Sequence, residues 1–157
     1  MNEIWLSWLS KSINKALARH RYKLTSFVYM PEHVHLIVWP RDETYQIEDL
    51  LYAIKKPFSD RIKRELAQSG SSLLEEFRVV EGVGKSTFRF WQKGPGHDRN
   101  LINKENVIKA AEYIHNNPVR RGLCKSPDAW RWSSWKFYYT PDKWNDSALP
   151  NVTGFSP

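Results

Sequence analysis

Cysteine is almost absent from this chain: Cys124 stands alone among 157 residues. A single thiol can close no internal disulfide, and it rules out four-cysteine zinc sites as well. A reducing cytoplasm is the natural setting for such a sequence. No apolar run approaches the ~20 residues that a membrane helix needs. Internal repeats and domain-scale linkers are also missing. Acidic residues are outnumbered, 17 against 24 basic ones, and the net charge is +7.

What remains is a core-forming composition. Hydrophobic residues make up 41% and aromatic residues 14%, with eight Trp, which argues for packed structure and against disorder. The length suits one domain with a real core and is too short for two comfortable ones. A basic chain rich in Trp and Tyr fits a nucleic-acid partner, because phosphates attract the charge and rings stack on bases. The plainer reading is a soluble cationic protein. The opening segment could pass for a targeting peptide, but Ile4, Trp5, Trp8, Leu9, Ile13, Ala16 and Leu17 fall on one helical stripe. That pattern predicts a helix packed on a sheet rather than one lying on a membrane.

Along the chain, a helix is expected from about residue 3 to 20. It is followed by two strands, "KLTSFVYM" and "HVHLIVWP", joined by a tight Pro31–Glu32 connection as a hairpin. A second helix, "QIEDLLYAIKKPFSDRIKRELAQ", holds Pro57 and should kink or divide into two abutting helices there. "SGSS" reads as a loop. "EFRVVEG" and "STFRFWQ" read as a second hairpin, with Gly82 and Gly84 in its turn. A glycine-rich loop, "KGPGHDRN", leads to a third helix, "NKENVIKAAEYIHNN", which Pro118 should stop. An aromatic, irregular tail follows. Helices mixed with paired strands indicate α+β.

The chemistry concentrates in "YMPEHVHLIVWP". His33 and His35 sit two apart in an apolar β-branched run, so on a strand they project to the same side while Val34, Leu36 and Val38 pack on the other. Two imidazoles on a rigid strand can hold one cation, with a third ligand from elsewhere. The alternative is a pair of hydrogen-bonded structural histidines. In "AAEYIHNNPVRRG", Tyr113 and Asn117 are four residues apart and share a helix face. Asn117 lies near the helix end, where its amide oxygen can turn toward a metal. Two imidazoles and an amide oxygen suit Mg²⁺ or Mn²⁺. On its own, Tyr113 reads as a packed aromatic of an amphipathic helix.

"YMPEHVHLIVW", "FRFWQKGPGHDRNL", "EYIHNNPVRRGL" and "PDAWRWSSWKFY", in this order and spacing, resemble the REP-associated tyrosine transposases. These are a branch of the IS200-like single-tyrosine transposases within the HUH (His-hydrophobic-His) nucleases. The resemblance runs from about residue 20 to 140 and implies one such domain over residues 1–145, with an irregular tail at 146–157. It implies a ferredoxin-like antiparallel sheet that presents His33 and His35 to a divalent metal, Mg²⁺ or Mn²⁺. It makes Tyr113 the nucleophile and Asn117 the third ligand. The implied partner is single-stranded DNA carrying a hairpin, a REP-like palindrome, bound by a monomer or a homodimer. The family usually opens with a strand before its first helix. This chain begins at the helix, so the sheet is expected to be one strand short, with backbone exposed beside the histidine strand.

Nucleic-acid binding would draw on Lys55 and Lys56 in "KKPFSDRIKR", and on Arg89, Trp91, Lys93 and Arg99 in "FRFWQKGPGHDRN". Arg120 and Arg121 follow the proposed tyrosine. Each charge alone reads as a solvated face. His97, where the family usually has an aromatic, is a possible extra ligand, and His115 should face away from Tyr113 in a structural or DNA-facing role. "EGVGKST" imitates the end of a phosphate-binding P-loop. Val79 stands where the pattern needs glycine, however, and a strand follows where a helix should, so nucleotide hydrolysis is excluded. Cupins and amidohydrolase barrels also use H-x-H, but they are all-β or about 250 residues long. Two readings stand: a tyrosine nickase and strand transferase, or the same fold with catalysis lost, binding nucleic-acid hairpins.

Overall fold

The computed structural model describes residues 2–82, 84–94, 96 and 98–155. His97 lies outside them. In chain order the elements are helix α1 (Glu3–Arg19), strands β1 (Tyr22–Tyr29) and β2 (Val34–Pro40), helices α2 (Ile47–Gln68) and α3 (Leu73–Glu76), strands β3 (Arg78–Gly82) and β4 (Lys85–Phe88), and helices α4 (Lys104–Arg120) and α5 (Trp135–Tyr139). Single 3-10 turns at Pro127–Ala129 and Pro141–Lys143 give regular structure to a stretch expected to be irregular. The class is α+β, with two small antiparallel two-stranded sheets, β1–β2 and β3–β4. The chain divides into two compact units, Met1–Tyr45 with Arg99–Pro157, and Gln46–Asp98.

In the first unit, Asn2 caps α1 by accepting the Trp5 N–H at 3.2 Å. The predicted stripe buries Leu9, Ile13, Ala16 and Leu17. The β1–β2 hairpin turns on Pro31–Glu32, with the Met30 N–H donating to the His33 carbonyl at 2.8 Å. Val28, Met30 and Ile37 form one buried cluster with Val107, Ala111 and Ile114 of α4. On the neighbouring strand position, the Tyr29 hydroxyl meets Ser10 Oγ of α1 at 3.0 Å. Successive strand residues face opposite sides, so α4 covers one face of the hairpin and α1 the other.

That arrangement keeps the expected alternation of β2, with one addition. Its buried residue is Ile37, on the same side as His33 and His35, while Val34, Leu36 and Val38 are only half-buried. The histidine side is therefore the side against α4. β1 gains a further neighbour from the C-terminal segment. The Tyr29 N–H donates to the Trp132 carbonyl at 2.8 Å, and the Ser134 N–H to the Phe27 carbonyl at 3.0 Å. A bridge pairs Val28 with Ser133. Beside β2's outer edge there is no strand among the described residues.

Pro118 does not stop α4. It sits in the last turn, and the helix runs on to Arg120. Gly122 then takes φ +68°, its N–H donating to the Val119 carbonyl at 2.9 Å while the Leu123 N–H reaches the Pro118 carbonyl at 2.8 Å. This pair of bonds is a Schellman closure, which needs a residue that tolerates left-handed backbone.

In the second unit, α2 is one continuous helix through Pro57 rather than two abutting ones. One missing N–H is outweighed by burial of Leu50, Ile54, Phe58, Ile62 and Leu66 at a spacing of four. Phe58 meets Phe90 edge-on at 5.2 Å, and Phe77 lies 5.2 Å from Phe90, which ties the β3–β4 hairpin to α2. β4 stands where a P-loop would require a helix.

Candidate functional site

Three polar side chains converge where β2 meets α4. His33 and His35 leave the hairpin side by side, rings at 89°, with their Nε2 atoms 3.0 Å apart. The Asn117 amide comes down from the last turn of α4 to 2.8 Å from His35 Nε2. Amide nitrogen and oxygen exchange places by a half-turn, so the same group can donate to a bare imidazole or offer its oxygen to a cation. Burial, and then the neighbouring His33, lowers the His35 pKa.

The donor set fits a divalent cation. Two ligands at ~2.1 Å from an octahedral ion, at right angles, stand about 3.0 Å apart. The two Nε2 atoms already have that spacing. Glu32, which sequence reasoning passed over as a turn residue, lies 3.8 Å from His33 Nδ1, on the far side of the ring from the site. At that distance the two make no hydrogen bond. Glu32 also takes the Arg121 guanidinium at 2.5 Å, and this contact holds its carboxyl below the usual range. Its signal in the sequence was only adjacency to His33.

Tyr113 sits one turn before Asn117 on the same face of α4 and is 55% exposed, so it is not the packed aromatic its helix position alone suggests. The Arg120 guanidinium lies over its ring, 4.9 Å from the centroid. His115, between them in sequence, is buried on the opposite face. Its Nε2 lies 2.8 Å from Ser134 Oγ. Burial pushes its pKa down to about 4. It is structural and does not face a ligand.

The other candidates are dispersed. Arg99 is exposed in the first unit. In the second, Lys93 is exposed, Lys56 pairs with Asp60, and Arg89 pairs with Glu81. Lys55 is half-buried, and its carbonyl accepts the Trp91 indole N–H at 3.3 Å. Trp91 is half-buried in the Phe58–Phe90 cluster, so much of the ring is engaged in packing.

No protein-family model and no curated protein matches the chain. Among solved structures, the chain is similar to a REP-associated tyrosine transposase bound to a REP hairpin, at 21% identity and a TM-score of 0.57. The match covers 94% of this chain and 75% of that one. At that identity the likeness establishes a shared fold. No helix among the described residues is long and apolar enough to cross a membrane.

Proposed function

We propose that the protein is a single-stranded DNA nickase and strand transferase that uses Tyr113 as nucleophile on hairpin-bearing DNA. One observation carries this reading: His33, His35 and Asn117 converge at 3.0 and 2.8 Å, one helical turn from an exposed tyrosine. They do so on a fold shared with a hairpin-bound tyrosine transposase. His33 Nε2, His35 Nε2 and the Asn117 amide oxygen would hold the divalent ion, Mg²⁺ or Mn²⁺. When bound, that ion polarises the scissile phosphate and stabilises the departing 3′-oxygen.

The chain's own residues supply the rest. The Tyr113 Oη attacks phosphorus, the bond from phosphorus to the 3′-oxygen breaks, the phenol's proton passes to solvent, and the departing 3′-oxygen takes up a proton from solvent to become the 3′-hydroxyl. The product is a 5′-phosphotyrosine, which keeps the bond energy for rejoining without ATP. Arg120 places positive charge beside the ring where negative charge accumulates. Arg121, Arg99, Lys93, Lys55, Lys56 and Arg89 would contribute phosphate contacts, and Trp91 a ring for a base to stack on.

The test is a covalent adduct assay with a single-stranded hairpin oligonucleotide and Mg²⁺ or Mn²⁺. Wild-type protein should form an adduct that survives denaturing electrophoresis. Tyr113→Phe should lose it while still binding the hairpin. Wild-type protein that binds tightly but never forms the adduct would leave the second reading, a hairpin-binding module.

A further inference from the structure

We propose that His115 is a positioning residue: through Ser134 it fixes the roll of α4, and so the placement of Asn117 and Tyr113 against the histidine strand. The catalytic consequence rests on the nuclease reading above, whereas the clamp itself rests on geometry alone. Two motifs that the mechanism leaves unused, "EYIHNNP" and "WRWSS", meet here. His115 Nε2 lies 2.8 Å from Ser134 Oγ, which accepts the Phe27 N–H at 2.9 Å and reaches the Phe27 carbonyl at 3.2 Å. All three groups are buried, His115 at 2% exposure and both Ser134 and Phe27 at 0%.

The hydrogen-bond count selects one tautomer. With the proton on Nε2, Ser134 Oγ accepts from both His115 and the Phe27 N–H and donates its own hydrogen to the Phe27 carbonyl. Nδ1, which has no partner among the described residues, is then a bare acceptor. The other tautomer would bury an unpaired N–H at Nδ1, the rarer and costlier defect. α4 is thereby bonded to the outer edge of β1 by a donor on its buried face, one turn from Ala111. At about 100° per residue, positions 113 and 117 both lie about 160–200° from 115. The side chain that holds the helix from the core side therefore sets the angle of Asn117, which reaches His35, and of Tyr113 one turn before it.

The leverage is large. A roll of ~20° moves a side-chain tip ~6 Å from the helix axis by about 2 Å. That displacement breaks the 2.8 Å contact between Asn117 and His35. Apolar packing of Val107, Ala111 and Ile114 on Val28 and Met30 resists such a roll by shape alone, without a directional bond. A hydrogen bond with one donor and one acceptor resists it well.

The test pairs metal-free NMR with single-turnover kinetics on wild type, His115→Leu, His115→Gln and Ser134→Ala. Wild type should show a nuclear Overhauser contact between the Asn117 amide protons and the His35 ring proton beside Nε2. His115→Leu and Ser134→Ala should lose it, and the rate of adduct formation should fall roughly 10- to 100-fold, with hairpin affinity within about twofold. His115→Gln, whose amide N–H can occupy the Nε2 position, should recover both signals. A folded His115→Leu or Ser134→Ala that keeps contact and rate overturns the proposal, as does a glutamine variant no better than leucine. If wild type forms no adduct at all, the nuclease reading fails, and the NMR contact alone decides the clamp.

Discussion

Acid should expose the cost of burying His115, and the effect can be sized. The ring is 2% exposed, and burial drops its pKa from an ordinary 6.5 to about 4. The native state keeps it neutral, so the unfolded chain alone takes up a proton once the pH falls below about 6.5. Stability from this group is complete above that value, declines as pH falls, and is exhausted below about 4, where both states are protonated. The full span is worth about 3 kcal/mol at 1.36 kcal/mol per tenfold change in proton affinity, and about 2 kcal/mol of it is lost between about pH 7.5 and about pH 5. Urea titrations of wild type and His115→Gln across that range isolate the contribution, because other groups titrate in both proteins. The glutamine variant should lose about 2 kcal/mol less on acidification. Parallel curves for the two proteins would refute the reasoning and mean that the ring titrates alike in the folded and unfolded states.

Chelation of divalent ions, or Asn117→Ala, should lower the rate of adduct formation by ~10²–10³-fold while leaving hairpin binding in place, as read on a denaturing gel and a filter-binding curve. Ile37→Ala should cost about 3 kcal/mol in urea unfolding, because it opens the cluster between β2 and α4 beneath the histidines. Gly122→Ala should cost about 1 kcal/mol: a Cβ there meets nothing within 4 Å, so only the φ of +68° opposes it. Arg120→Gln should weaken hairpin binding and reduce the slope of log affinity against log salt by ~0.7, the value of one phosphate contact on a single strand.

Much of the fold was legible because the governing signals are local. The stripe from Ile4 to Leu17 produces α1, and the alternating run after Pro31 produces β2. Gly84 stands between β3 and β4 as expected, whereas Gly82 is the last paired residue of β3; both have positive φ. Two prolines depart from the geometry of an isolated helix for one reason: Pro57 does not divide α2 and Pro118 does not end α4, because each stands in a helix whose apolar face is buried, and the burial outweighs one lost bond. Histidine spacing and the four-residue step from Tyr113 to Asn117 are also local, and both survive in the structure.

The sequence by itself determined which residues could share a face: two imidazoles on one side of a strand, a phenol and an amide on one side of a helix. Periodicity is a property of the chain and needs no partner. Only the tertiary structure decided that these two faces meet, that Ile37 shares the histidine side, that Glu32 backs His33, and that His115 is bonded to a serine 19 residues away. Such pairings depend on how helix and hairpin pack across the core. Packing is set by the combined shape of many apolar side chains, and no spacing along the chain records it.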